Sequence, residues 1–163
     1  RLAQDTDLEL MMAWRSNPLI YQGMYSQKKP LLWEEHMIWH RSRNQDWRTF
    51  IILLGEKDSV MTELNPRRIG VVTLGQLDHW SPECGYYIGE TSLWGKGYGK
   101  EAVKQGLKYI LDYGRTAAHT TIKNDNVASI KLIQSLGFTR LGQARPGESW
   151  YQNLDITRLF PPS

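Results

Sequence analysis

Cysteine is almost missing from this chain: Cys84 stands alone among 163 residues. One thiol cannot close an internal disulfide, so packing must hold the fold, and a reducing compartment suits it. Also missing are an apolar run long enough to cross a bilayer and a charged-then-apolar leader. These absences lead us to expect a soluble cytoplasmic protein without a membrane partner. Charge of one sign is scarce too. The net charge of +3 is too mild for the dense basic stripe that holds nucleic acid, so no nucleic-acid partner is expected. Repeats and low-complexity tracts are absent. With 40% hydrophobic residues, the chain reads as one ordinary globular domain over residues 1–163.

What is present centres on Trp94-Gly95-Lys96-Gly97-Tyr98-Gly99-Lys100-Glu101-Ala102. Three glycines in five positions allow a tight turn, and a helix behind them aims unpaired N–H groups at whatever lies in front. That makes an anion cradle, or a tight strand-to-helix connection with no ligand. A short strand, Glu83-Cys84-Gly85-Tyr86-Tyr87-Ile88-Gly89, precedes it. Behind it Ala102, Val103, Gly106, Leu107, Ile110 and Leu111 recur at helical spacing, with Lys96, Lys100, Lys104 and Lys108 on another face. The run is not a Walker A loop, because no Gly-Lys-Ser/Thr follows. Nor is it a convincing dinucleotide fingerprint: a frame begun at Gly95 or Gly97 would need glycine at Lys100 or Ala102, where alanine is sometimes allowed, and no acidic residue ends a following strand about 20 residues on.

The rest of the chain reads in order. Arg1 to Ala3 resemble the end of a first strand, with earlier residues of it expected upstream. Asp5 or Thr6 caps a helix carrying Leu8, Met11, Met12 and Trp14, which stops at Asn17-Pro18. Residues 21–29 read as a loop, and Pro30 starts a helix that continues through Trp39 towards Arg43. Thr49 to Leu54 and Ile69 to Leu77 are strands joined by an exposed hairpin connection over residues 55–66. Ala117 to Lys123 is a strand. Asn124 or Asn126 caps a helix ending at Gly137, and Phe138 to Gln143 and Ser149 to Asp155 close the sheet.

Some residues that look chemical have plainer explanations. His36 and His40 are spaced i, i+4, but no zincin-type Glu or third ligand accompanies them, so a packing or surface role is expected and no metal. Cys84 alternates with Glu83 and should pack as a small hydrophobe. Trp14, Trp33, Trp39 and Trp47 read as core or rim, whereas Tyr21 and Tyr25 sit in a polar loop where ligand contact is as good a reading.

The segment Leu93 to Ala102 resembles the acetyl-CoA-binding loop of GNAT-superfamily N-acetyltransferases, in the form of the RimJ/RimL branch. Trp94 stands where the general pattern has Gln or Arg. Asn126-Val127-Ala128-Ser129 and Leu136-Gly137-Phe138 follow at the family's spacing, and Glu83-x-Gly85-Tyr86 precedes; the likeness spans about residues 67–155. It implies an α/β (α+β) GNAT fold with a mixed, mostly antiparallel sheet of about six to seven strands and about four helices. It also implies acetyl-CoA as co-substrate, a small-molecule amine as acceptor, and a homodimer as one allowed assembly.

By the same resemblance Tyr87, Ile88, Trp94, Gly95, Lys96, Gly97, Tyr98, Gly99, Lys100 and Asn126 would hold acetyl-CoA. The strand would splay near Tyr87 and Ile88, freeing backbone groups for the pantetheine arm. Glu83 would be the base, directly or through a water; otherwise it is a solvated edge carboxylate beside Pro82. Ser129 would donate to the departing thiolate or cap the helix. The Tyr that many relatives carry four residues beyond this serine is Ile133 here, which leaves a dedicated general acid unassigned.

The N-terminal half, with Trp14 to Pro18, Met24 to Gln27 and Glu34 to Trp39, resembles acetyltransferases of nucleotide-linked amino sugars of the pseudaminic-acid type. That makes Arg15, Tyr25 and Trp39 acceptor contacts, with Arg15 or Lys28 meeting a pyrophosphate. Two alternatives stay open: a RimL-like protein N-terminal acetyltransferase using Glu34, Glu35 and Glu90, and a non-catalytic acetyl-CoA-binding domain.

Overall fold

A computed structural model describes residues 1–42, 46–55 and 66–162. Arg43 and most of the expected 55–66 connection lie outside the described residues. The helices are α1 (Leu8–Arg15), α2 (Pro18–Tyr21), α3 (Trp33–Arg41), α4 (Tyr98–Asp112) and α5 (Val127–Ser135). The strands are β1 (Arg48–Leu54), β2 (Arg67–Gly75), β3 (Glu83–Ile88), β4 (Ala118–Lys123), β5 (Thr139–Arg145) and β6 (Glu148–Asn153). They form one sheet of six strands in the order β1-β2-β3-β4-β6-β5. Every neighbouring pair is antiparallel except β3 and β4. This mixed, mostly antiparallel sheet flanked by helices is the GNAT fold. Leu2 adds an antiparallel bridge to Phe50, so the N-terminal residues extend the β1 edge as expected.

Alternation along the strands divides the core in two. On one face Val72, Leu74, Cys84, Ala118, Ile122 and Tyr151 pack against Val103, Leu107 and Ile110, the apolar stripe of α4. On the other, Ile51 and Val71 meet Leu8, Met11 and Trp14 of α1. No helix is long and apolar enough to cross a membrane, among the described residues.

Local chemistry shifts several expected boundaries. The first helix does stop before Asn17-Pro18, but a new one follows: Asn17 Oδ1 accepts from Leu19 N at 3.0 Å and Pro18 opens the one-turn α2, which brings the α-helices among the described residues to five, against about four expected. The third helix begins at Trp33 and not Pro30, because Glu35 reaches back to Leu32 N at 3.0 Å. β2 ends at Gly75, since Gln76 turns to φ 56°.

Neither Asp5 nor Thr6 caps α1 with its side chain. Residues Asp5–Asp7 form a 3-10 turn that rolls the Asp7 carboxylate inward. Asp7 is buried and accepts from Arg1 Nη1 at 2.7 Å, Gln4 N at 2.8 Å and Arg68 Nη1 at 3.0 Å. These contacts pin α1 to the β2 side of the sheet.

Two outcomes follow. The hydrogen bond from Arg1, with help from Gln4 and Arg68, holds the Asp7 carboxyl well below the ordinary range. A depressed native value contributes stability that is complete above the unfolded pKa near 4 and is lost as pH falls through the native value. Asp7→Asn should therefore cost about 3 kcal/mol at pH 7, and urea titrations should show the gap to wild type narrowing from pH 4 to pH 2. Cys84 is 2% exposed, and burial pushes its thiol up to about 12. It should stay unlabelled by an aromatic disulfide reagent at pH 8 until denaturant is added, with one thiol titrating afterwards.

Candidate active site

Gly95 and Gly97 have φ of 77° and 86°, the left-handed region where a side chain strains the backbone. Gly97 is the N-cap of α4, and the helix's first backbone bond runs from Glu101 N to Gly97 O at 3.1 Å. The N–H groups of Tyr98, Gly99 and Lys100 are thus left at the open end of the helix, where its dipole also favours an anion. A Cβ at Gly95 or Gly97 would meet nothing within 4 Å, so the space before these donors is open. At Gly99 a Cβ would lie 2.9 Å from Tyr86 Cε2, so that glycine is needed for packing. Trp94 does something Gln or Arg would not: its Nε1 donates to Ile88 O at 2.9 Å and ties the loop to the strand before it.

β3 and β4 share a single register pair, Glu83 with His119. Beyond it they diverge. Gly89 N donates to Ile69 O, so antiparallel alternation turns the odd residues of β3 towards β2 and the backbone of Tyr86 and Ile88 into the opening. Tyr87, expected with Ile88 to free backbone groups, reaches the cavity by its side chain instead. Its backbone faces β2 at Val71, while its side chain lies under Trp14, ring centroids 6.2 Å apart. Its hydroxyl is buried without a hydrogen-bond partner, and burial pushes its pKa up.

The opening widens into a cavity of about 620 Å³. The loop and α4 contribute Trp94, Gly95, Gly97, Tyr98, Gly99 and Lys100; β3 contributes Tyr86, Tyr87 and Ile88; α5 contributes Asn126 and Ser129. Lys96 is exposed and is not among the lining residues. Asn126, not Ser129, caps α5, its Oδ1 accepting from Ser129 N at 3.3 Å. The Ser129 side chain lies close to the hydroxyl of Tyr86, whose pKa burial raises. Ile133 is 2% exposed in the core.

Glu83 is half-buried at the point where the strands part, on the same sheet face as Gly85 and Tyr87. It does not line the cavity. Beside it His119, which no sequence motif marks, sets its Nδ1 2.6 Å from Ser81 O. Gln152, the register partner of His119 on β6, donates to Ser81 Oγ at 3.1 Å.

Arg15, Tyr25 and Trp39 also lie outside the cavity. Arg15 stacks over Trp39, 5.3 Å from its ring centroid, and its Nε donates to Gln27 Oε1 at 3.1 Å. Burial lowers the pKa of this guanidinium, and Tyr87 lies close by. His36 is buried and stacked on Trp39, with both ring nitrogens lacking a hydrogen bond; burial lowers its pKa. The Tyr25 ring is covered by Arg145, 3.8 Å from its centroid. Arg15, His36 and Trp39 form a second cluster, on the α1 and α3 face, that meets the cavity at Tyr87.

Residues 1–139 match the profile of the acetyltransferase (GNAT) domain. The chain belongs to the GNAT acetyltransferase family. It is 46% identical over 154 residues to an uncharacterised protein of Methanocaldococcus jannaschii, matching 93% of this chain but 30% of that protein. An uncharacterised N-acetyltransferase of Bacillus licheniformis is 32% identical over 106 residues, which are 61% of this chain and 52% of that one. The chain therefore spans between about a third and a half of these relatives. A solved domain from M. jannaschii superimposes with a TM-score of 0.86 at 44% identity, covering 94% of this chain and 95% of that one. A spermidine N-acetyltransferase from Vibrio cholerae, in complex with CoA and spermine, gives 0.76 at 17% identity over 98% and 96%. At that identity the likeness shows the fold alone.

The GNAT loop yields a direct test. Gly97→Val should abolish acetyl-CoA binding by calorimetry while circular dichroism keeps the native spectrum, because the side chain both strains φ and fills the open space before the α4 N–H groups.

Proposed function

We propose that this chain, a RimJ/RimL-like domain over residues 1–163, transfers the acetyl group of acetyl-CoA to a primary amine of a small molecule. The observation that carries this is a phosphate-sized cradle at α4 continuous with a cavity along the free edge of β3. The Vibrio relative solved with CoA and spermine supports the same pairing of ligands.

When bound, acetyl-CoA supplies an acetyl group activated as a thioester. The chain's own residues do the rest. Gly95, Gly97 and the first N–H groups of α4 receive the diphosphate, and Lys100 adds charge at the rim. The free N–H groups of Tyr86 and Ile88 pair with the amide arm, and one of them polarises the acetyl carbonyl. The Tyr86 and Ser129 hydroxyls lie along the sulfur's path and offer it a hydrogen bond. Glu83 attracts the ammonium and accepts its proton, directly or through a water. Holding the two reactants together contributes on the order of 7–11 kcal/mol, and proton transfer about 3–5 kcal/mol.

For the amine acceptor we favour a molecule that also carries an anion, such as a nucleotide-linked amino sugar. Arg15 is desolvated and pairs with no carboxylate among the described residues. The N-terminal peptide reading fares less well on the same evidence. Glu35 is engaged by Leu32 N, and Glu90 by Trp14 Nε1 at 3.3 Å and Arg67 at 3.6 Å.

Thiol release from acetyl-CoA should be measured against nucleotide amino sugars, polyamines, aminoglycosides and N-terminal peptides. Turnover of the anionic sugars is expected. Acetyl-CoA binding with no turnover of any amine would favour a binding domain. With the active amine, Glu83→Gln should lower turnover about 10²-fold while acetyl-CoA affinity stays within a few-fold. Unchanged turnover from pH 6 to 9 would remove Glu83 from the reaction.

A further inference from the structure

His119 occupies a position that neither the glycine loop nor the Asn126 segment predicts. It follows α4 on β4 and is brought to Glu83 by the single parallel pair of the sheet. Residues paired in a parallel register point to the same face, so the imidazole and the carboxylate emerge side by side where β3 and β4 separate.

The ring is held in one orientation. Ser81 O, 2.6 Å from Nδ1, can only accept, so Nδ1 carries the hydrogen and the neutral ring presents Nε2 as a lone pair. Nε2 has no hydrogen-bond partner among the described residues. The Trp150 ring packs against the imidazole at 5.3 Å, and Gln152 fixes Ser81 from the other side. Such a support fixes the ring and leaves Nε2 unoccupied.

Few charges face this ring. Glu83 lies across the bridge, and His79 lies behind Ser81, its Nδ1 3.1 Å from Ser81 N. From β6 come the uncharged Gln152 and Trp150. Lys123, two places further on the same face of β4 beyond Thr121, turns away to Gln22 O at 2.7 Å.

We infer that His119 is the onward proton acceptor of the amine site, taking at Nε2 the proton that the incoming ammonium gives up to Glu83. This rests on the acetyl-transfer reading above. A carboxylate attracts an ammonium well but is a weak base towards it, whereas an imidazole titrates nearer to neutral pH and is better matched to the transfer. The balance is complete without a further reactant. The ammonium loses one proton to Glu83, directly or through a water, and Glu83 passes it on to Nε2. The amine nitrogen then bonds to the acetyl carbonyl carbon as the bond from that carbon to sulfur breaks. One of the two remaining nitrogen protons goes to the thiolate, and the imidazolium returns its own to water.

Two substitutions separate this role from support of the strand. His119→Asn keeps an N–H donor near the Nδ1 position for Ser81 O and removes Nε2. His119→Gln places an uncharged amide near Nε2, and it carries the test should the first variant fail to fold. The expected result is turnover lowered about 10²-fold, with acetyl-CoA affinity by calorimetry within twofold. The ascending limb of the kcat/KM pH profile should be displaced, and imidazole added to the buffer should restore part of the rate. In the wild-type protein, the ¹⁵N spectrum of labelled histidine should show this ring as the Nδ1–H tautomer at pH 8.

Turnover within threefold of wild type, or a loss of rate with an unmoved pH profile and no imidazole rescue, would overturn the inference. So would an Nε2–H tautomer. A wild-type chain that releases no thiol with any amine would overturn the acetyl-transfer reading and this inference with it. An active wild type with a silent substitution overturns the inference alone.

Discussion

Strands β3 and β4 run parallel for one register pair and then part, and most of what surrounds them answers that divergence. A strand edge released inside a fold leaves backbone groups that must find water, a ligand or a side chain, at about 1–3 kcal/mol for each group left dry. Here one of them, the Ile88 carbonyl, is met by the Trp94 indole. The others face a cavity of about 620 Å³. The N-termini of α4 and α5 both open on that cavity.

The sheet also separates two kinds of surface. Its α4 face is a continuous apolar core, where Cys84 and Ile133 are ordinary packing residues. Its α1 and α3 face is mixed, with Arg15, His36, Trp39 and Tyr87 packed among apolar side chains. Tyr87 joins the two, lining the cavity while its ring meets Trp14. Contacts from the loop after α2 span the gap: Lys123 holds Gln22, and Arg145 covers Tyr25. Arg145 is itself fixed by a two-pronged contact to Glu148, at 3.0 Å for each hydrogen bond. That places the loop beside β4 and the β5–β6 hairpin, on the side of the opening away from α4.

Side-chain hydroxyls from two elements meet on one wall of the cavity. Ile133, four residues beyond Ser129, is buried in the core, while Tyr86 of β3 lies close to Ser129. Tyr86 and Ser129 both line the cavity, from different elements. Position along the chain and position in the cavity are thus separable, which is why a motif's missing residue does not by itself show that its function group is missing.

The glycine loop, the α4 stripe and the strand pattern were legible in the sequence because they are local. Positive φ at Gly95 and Gly97, the cap at Asn126 and the burial of Cys84 follow from residues a few positions apart. Alternation likewise placed Glu83, Gly85 and Tyr87 on one face. What the sequence could not determine were pairings across distance. The approach of His119 to Glu83, the covering of Tyr25 by Arg145 and the inward turn of Asp7 to Arg68 each join residues far apart in the chain. Even the register that turns Tyr86 and Ile88, and not Tyr87, into the opening depends on which β3 residue lies opposite Ile69. Local propensity acts over a few residues, but hydrogen-bond register and burial are set only when the strands meet, so the sequence alone defined the cradle and tertiary structure decided what stands at its far end.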